Sequence, residues 1–391
     1  MKLQEALENL HLESYIAYMT PNKSQRYLAL DVLRGLTVCF MIIVNSGGTG
    51  TEPFAPLQHA AWHGFTPTDL VFPTFLFVVG NAMAFSMDKF SGLGNFRVTA
   101  RILKRTAIIF LLGYLLYWFP FFKVMPNGNW ELSPISQTRI LGVLQRIALC
   151  YGIAALMIHF LPKKIVWLVS ILFLGGYWLA MALGGDYSMT GNLGSILDEL
   201  ILGDQHLYHG EGVAFEPEGL LSTFPSVVNV IIGYYAGKFI REKGNTYETV
   251  SKLMVAGAAF VAIAYFWNHL FPINKKLWTS PFVLYTCGLA MLILGALIQV
   301  IEIQGRKKFT QFFEVFGKNP LFIYLLSEII VILLWTINDR QGKPLYDSIN
   351  LNFFQRIAPG PWGSLFFALS VMFICWLAGW WMDKRKIYIR V

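Results

Sequence analysis

About ten stretches of the chain are nearly unbroken apolar runs, separated by short polar or charged breaks. They fall near residues 29–46, 70–87, 103–122, 140–161, 164–185, 219–240, 250–271, 279–301, 319–337 and 364–382. A helix needs about 20 apolar residues to cross roughly 30 Å of hydrocarbon. In lipid, only helices and closed barrels satisfy their own backbone groups. The pattern therefore predicts an all-α polytopic membrane bundle of about ten transmembrane helices. Pro162-Lys163-Lys164 and Gln304–Lys308 separate neighbouring spans, residues 309–316 predict a short interfacial helix, and Pro225 predicts a kink or break in the sixth span. Residues 1–28 read as a cytoplasmic N-terminal segment and residues 29–391 as one transmembrane domain. Within the first segment Leu3, Leu7 and Leu10 share a helical face, which predicts a short surface helix. Glu5, Glu8 and Glu13 interrupt any apolar core there, so a secretory signal is not expected.

Charge orients this bundle. Only 14% of the 391 residues are charged, against roughly 25% in soluble domains. The net charge of +8 is therefore a record of topology rather than a nucleic-acid signature. With the N-terminus inside, the cytoplasmic junctions hold Lys89, Arg97, Arg101, Lys104 and Arg105, then Lys163 and Lys164, then Lys238, Arg241, Lys243 and Lys252, then Arg306, Lys307 and Lys308. The C-terminal tail adds Lys384, Arg385, Lys386 and Arg390. Residues 46–69 and 186–218 contain no Lys or Arg. The expectation is that both termini are cytoplasmic and that these two loops are outside. Cys39, Cys150, Cys287 and Cys375 all fall in apolar runs, as small core residues rather than a disulfide or metal set.

Ionisable and polar groups inside spans are costly, so each is a functional candidate. Asp31 and Arg34 open the first span and stand close enough on a helix to pair. Their alternatives are a structural pair at the inner face or a role beside an anionic ligand. Asn45, in VNSGG, is either a helix cap or an amide donor next to the following loop. Gln145 and Arg146 lie inside the fourth span and are expected to line a cavity; Glu328 is another intramembrane acid.

The loop Gln58–Asp69 carries His59, Trp62, His63 and Asp69 straight into the apolar run Leu70–Met87. Two histidines broken by Gly64 and Pro67, with no adjacent third ligand, make a poor metal site. Imidazole titrates near neutral pH and Asp69 is placed to orient it, so a general base or acyl carrier is the functional alternative to a structural histidine.

Taken together, RYLALDVLRG, VNSGG, HAAWHGFTPTDLVFPTFLFVVG, ILGVLQRIALCY, FEPEGLLSTFPSVVNVIIGYYAG and GKNPLFIYLLSEI resemble the transmembrane heparan-α-glucosaminide N-acetyltransferase family, the lysosomal enzyme and its bacterial relatives. The resemblance runs over most of the chain from Arg26. It implies an acetyl-CoA-dependent N-acetyltransferase that takes acetyl on the cytosolic side and places it on the amine of a glucosamine-type sugar on the other side. The family's essential histidine, in H-A-x-W-x-G, falls on His59, its upstream asparagine on Asn45, and its D-L-V-F-P aspartate on Asp69. Trp62, Glu216 and Glu218 are the expected contacts to the amino sugar. Departures are EPEG for the family's D-P-E-G, with Glu216 in place of Asp, Ser327 in place of a histidine before the late glutamate, and the lack of the lysosomal enzyme's extra N-terminal region.

The implied mechanism sets the remaining expectations. Acetyl-CoA is the co-substrate, and no metal is expected. Arg34, Arg101 and Arg105 are candidates to hold the anionic CoA at the cytosolic face, and Gln145 and Arg146 to line a pore towards His59. His59 then acts as acyl carrier or general base, and Asn45 donates to the oxyanion. The alternatives are a sugar or amino-sugar transporter and an O-acyltransferase of envelope glycans. A bacterial inner membrane is the expected location. A homodimer is compatible with the sequence, whereas nucleic acid is not an expected partner.

Overall fold

A computed structural model describes residues 27–90, 92–124 and 130–389; the surface helix expected within residues 1–20 lies outside them. Every expected span is met by a helix. α1 covers Leu28–Asn45, α2 Val71–Ser86, α3 Asn95–Trp118, α4 Val143–Phe160 and α5 Lys163–Leu183. A short helix, α6 (Leu193–Leu202), sits inside the long loop before α7 (Leu220–Lys243). There follow α8 (Tyr247–Trp267), α9 (Ser280–Leu297), α10 (Thr310–Lys318), α11 (Pro320–Thr336) and α12 (Pro361–Lys384). Among the described residues the only sheet is an antiparallel pair, β1 (Phe122–Val124) with β2 (Trp130–Leu132).

Among the described residues, eight helices are long and apolar enough to cross a membrane, nine if α10 and α11 form one broken span. The shortfall from ten is α3. Arg97, Arg101, Lys104 and Arg105 occupy its first half, so its apolar part begins only at Thr106. Pro225 does not break α7, which is continuous around it. The break falls between α10, the expected interfacial helix, and α11, which meet at 84°. Asn319 leaves helical geometry there (φ −133°, ψ 53°), and Pro320 opens the next helix, where its missing N–H is no loss.

α2 and α7 form the centre. Of each one's membrane window 72% is buried in the protein, against 28% for α5 and α8, which are left to face lipid. Lipid tails offer helices no hydrophobic drive to associate, so close backbone contact at small residues supplies it. A methyl on Gly80 would collide with the Val230 carbonyl, and one on Gly233 with the Phe77 carbonyl.

Side-chain bridges sort the helix ends into two faces. At one, the Ala29 N–H donates to Glu302, Arg241 donates to the Ala84 carbonyl, and Lys318 pairs with Asp383. This basic end holds both the start of α1 and the end of α12. At the other, Trp62 donates to the Tyr187 carbonyl, Arg139 pairs with Glu216, and Tyr346 donates to the Gly47 carbonyl. The four cysteines are buried and free, as expected.

Candidate active site

The site begins with a turn. Pro67 opens a 3₁₀ segment ahead of α2, and Thr66 and Asp69 cap it reciprocally. The Asp69 carboxylate is thereby buried. Its Oδ2 accepts from the Ala60 and Thr66 backbone amides at 3.1 and 3.0 Å, with the Thr66 hydroxyl also at 3.1 Å. Its Oδ1 meets His59 Nδ1 at 2.6 Å. An ionised carboxylate only accepts, so Nδ1 carries the hydrogen and Nε2 keeps its lone pair. The His59 side chain is 41% exposed and that of Asp69 1%. A reactive ring nitrogen thus opens outward from a dry, fixed anchor.

Lys275, which the sequence analysis passes over, completes this cluster. Its Nζ lies 3.0 Å from both ring nitrogens of His59 and 4.0 Å from Asp69 Oδ1. Being equidistant from the two ring nitrogens, the ammonium stands against the ring and off the in-plane axis of the Nε2 lone pair. Burial lowers the Lys275 pKa from its ordinary value, while the nearby carboxylates of Asp69 and Glu218 oppose the shift. The loop that carries Lys275 is tied to the histidine loop by the Gly64 N–H donating to the Ile273 carbonyl at 2.8 Å. A signal existed in the sequence: Lys275-Lys276 is a basic pair in a loop on the basic-poor side of the topology.

Arg139, also passed over, organises the acids. It donates from Nε to Glu216 Oε2 at 2.9 Å and from Nη2 to Glu218 Oε2 at 2.7 Å, and it lies over the Tyr117 and Tyr208 rings. Glu216 has both carboxylate oxygens on this guanidinium. It braces Arg139 rather than presenting itself to a sugar amine. Burial, with the charge of Glu218 beside it, pushes the Glu216 carboxyl above its usual range in spite of Arg139. Trp62 stands on the same face, its indole N–H on the Tyr187 carbonyl at 2.8 Å and its ring edge-on to Phe215. His63 meets Asn274 instead of the cluster. Asn45 ends α1 and donates one of its two amide hydrogens to Glu328 at 3.2 Å.

From the basic end a cavity of about 350 Å³ runs into the bundle. Arg34, Arg105 and Lys318 stand at its basic end, and Phe75, Leu144 and Tyr324 line it further in. Leu144 belongs to the first turn of α4, at the end of the bundle where Arg139 lies. At about 1.5 Å per residue, Phe75 is roughly 9 Å along α2 from Asp69. Arg34 pairs with Asp31 at 3.2 Å, as its position suggested, and also donates to the Gly317 carbonyl. Arg101 is exposed and does not line the cavity. Neither Gln145 nor Arg146 lines it. Arg146 is wholly inside, bonded to Ser222, Ser226 and the Gly219 carbonyl of the α7 start and lying over the Trp278 ring. Gln145 packs against Gly113, with both amide atoms buried and without a protein partner. Arg105 Nε, on the cavity wall, is likewise buried without a partner. Of these groups only Arg105 Nε faces the cavity, and a buried donor without a protein partner calls for an acceptor there; a phosphate oxygen of an anionic co-substrate fits it.

Comparison with known proteins bears on the family of the chain. A family model described as an acyltransferase domain matches residues 27–380. The chain is similar to the heparan-alpha-glucosaminide N-acetyltransferase of Homo sapiens, 29% identical over 81% of this chain and 55% of that protein. It is similarly close to the Mus musculus protein of the same name, 28% identical over 82% of this chain and 56% of that protein. The chain thus spans about half the length of these curated relatives.

Proposed function

The chain belongs to the acyltransferase domain family, and from that premise we propose that it transfers acetyl from acetyl-CoA to the amine of a glucosamine-type sugar. The observation that carries the proposal is a pairing of opposite ends. A dry carboxylate holds an exposed imidazole with Nε2 available at one end of the bundle. A cavity with Arg34, Arg105 and Lys318 at its mouth enters from the other. Guanidinium forks suit phosphate oxygens, so the CoA phosphates stay at the basic end while the thioester extends inward past Tyr324. The N-acetyltransferase names of the similar human and mouse proteins support the amino-sugar acceptor.

His59 Nε2 serves in one of two ways. As general base it takes a proton from the sugar amine while nitrogen attacks the thioester carbon. As acyl carrier it attacks that carbon itself and then passes acetyl to the amine. Asp69 fixes the ring tautomer in both. The positive-inside rule makes the basic end cytosolic, and a bacterial inner membrane is the proposed setting. The test supplies radiolabelled acetyl-CoA and glucosamine to purified protein and compares wild type with His59→Ala. Label in N-acetylglucosamine from wild type alone supports the proposal. Transfer to N-acetylglucosamine as acceptor, which has no free amine, points to an O-acyltransferase. Glucosamine uptake with no acetyl-CoA consumption points to a transporter. Label retained on the protein without acceptor selects the carrier route.

A further inference from the structure

Acyl transfer needs more than a base. As nitrogen attacks, the carbonyl π pair moves onto oxygen, and a donor placed in advance at that oxygen is among the largest contributions an enzyme makes. Asn45, the donor suggested by the sequence, is held on Glu328. The cation that stands at the reacting ring is Lys275, 3.0 Å from the His59 nitrogens. We infer that Lys275 is the group that meets the acyl oxygen in the transition state, an assignment that rests on the acetyltransfer proposed above.

Three observations support it. First, Lys275 stands at the reacting ring, 3.0 Å from both of its nitrogens and off the Nε2 lone-pair axis. Nε2 is thereby left to take the amine proton in the general-base route, while the ammonium beside it is left to meet the oxygen that gains charge. The step balances: the N–C bond forms, the C–S bond breaks as the tetrahedral centre collapses, and the proton held on Nε2 goes to the CoA thiolate. The products are the acetamide and CoA thiol.

Second, the loop of Lys275 is rigid by construction. The Asn268 side-chain oxygen accepts from the Ile273 N–H at 2.7 Å, and that of Asn274 accepts from the Leu277 N–H at 2.8 Å. Trp278, three residues on, holds φ at +53°, a region costly for a bulky side chain. It is kept there by a bond from its indole to Asn229 at 3.1 Å, by the Arg146 guanidinium over its ring, and by edge contacts to Phe72 and Phe282. Strain of this kind persists only where the surroundings over-determine it, and it gathers at active sites. Arg146 thereby acts as a positioning residue: it braces the strained loop that presents Lys275.

Third, the charges around Lys275 suit an ammonium held beside the reacting ring. Asp69 Oδ1 lies 4.0 Å away, and Glu218 lies within electrostatic reach. Both keep a cation in the site while the stronger acceptors of Asp69 are already engaged with backbone amides.

The experiment compares wild type, Lys275→Met, Lys275→Gln and Lys275→Arg in steady-state transfer. Both neutral variants should lose roughly 10²–10³-fold in kcat, the loss seen on removing one oxyanion donor. Both KM values should move less than about threefold, because the interaction is weak with the ground-state carbonyl and strong with the charged oxygen of the transition state. Lys275→Arg should recover a tenth or more of wild-type kcat. A second readout needs no Lys275 variant. In His59→Ala protein, which halts chemistry, bound ¹³C-carbonyl acetyl-CoA should show its C=O stretch at lower frequency than free acetyl-CoA. Neutral variants with near wild-type kcat, or an unshifted stretch, overturn the assignment of Lys275 while leaving acetyltransfer standing. A wild type that consumes no acetyl-CoA with any amino sugar takes both down.

Discussion

Asp69→Asn is the sharpest test of the site. Asp69 Oδ2 accepts two backbone amides at 3.1 and 3.0 Å, and Oδ1 accepts the His59 Nδ1 hydrogen at 2.6 Å. An asparagine has one acceptor oxygen. Two backbone donors outcompete one ring, so the amide oxygen takes the Oδ2 position and the NH₂ turns to His59. Nδ1 must then accept, and the hydrogen moves to Nε2. The ring stays in place but loses the lone pair that either chemical route uses. A wrong tautomer costs on the order of 10⁴-fold in kcat in a comparable triad, or about 5 kcal/mol at 1.36 kcal/mol per decade. The change also swaps charge-assisted bonds for neutral ones, which should lower stability by about 1–3 kcal/mol. The assay is transfer of radiolabelled acetyl at saturating substrates, with thermal unfolding in detergent run alongside. An Asp69→Asn protein that folds and keeps more than about a tenth of wild-type kcat would refute the tautomer argument, because so small a loss is incompatible with a protonated Nε2.

Other outcomes follow from the same geometry. Arg105→Ala should raise KM for acetyl-CoA about tenfold with little change in kcat, an effect that shrinks with added salt, whereas Arg101→Ala should leave KM alone because its side chain is outside the cavity. Substrate titrations of the two variants at low and high salt decide this. Arg146→Ala should leave the acetyl-CoA KM unchanged but destabilise the fold by about 1–3 kcal/mol, since it leaves the buried Gly219 carbonyl and the Ser222 and Ser226 hydroxyls without their donor; an unchanged melting temperature would contradict it. Burial raises the Asp198 carboxyl from 3.8 to about 6. The folded protein therefore binds that proton more readily than the unfolded chain, and the Asp198 contribution to stability falls as pH rises from about 4 to about 6. Asp198→Asn, which still offers an oxygen to the Leu220 N–H, should flatten that part of the stability–pH curve. Gly80→Ala should destabilise by several kcal/mol, because its methyl has only the Val230 backbone to displace.

The sequence by itself determined the class, the number of apolar segments to within α3, and the local half of the site. Apolar run length and basic-residue asymmetry are properties of the chain read in order, and the physics of a bilayer acts on them directly. His59 and Asp69 were legible for the same reason. They lie ten residues apart in one turn, and Pro67 and the capping pair Thr66–Asp69 fold that turn locally. What the tertiary structure decided is who stands opposite. Lys275 reaches His59 from 216 residues away, and Glu216 is claimed by Arg139 from a separate loop. Asn45 is drawn to Glu328 on α11. Arg146 reads as cavity-lining from its depth alone, yet the packing of α4 on α7 turns it towards Ser222 and Ser226. Such partners are chosen by which helix faces meet, and that depends on close contacts like Gly80 with Val230, which no spacing along the chain encodes.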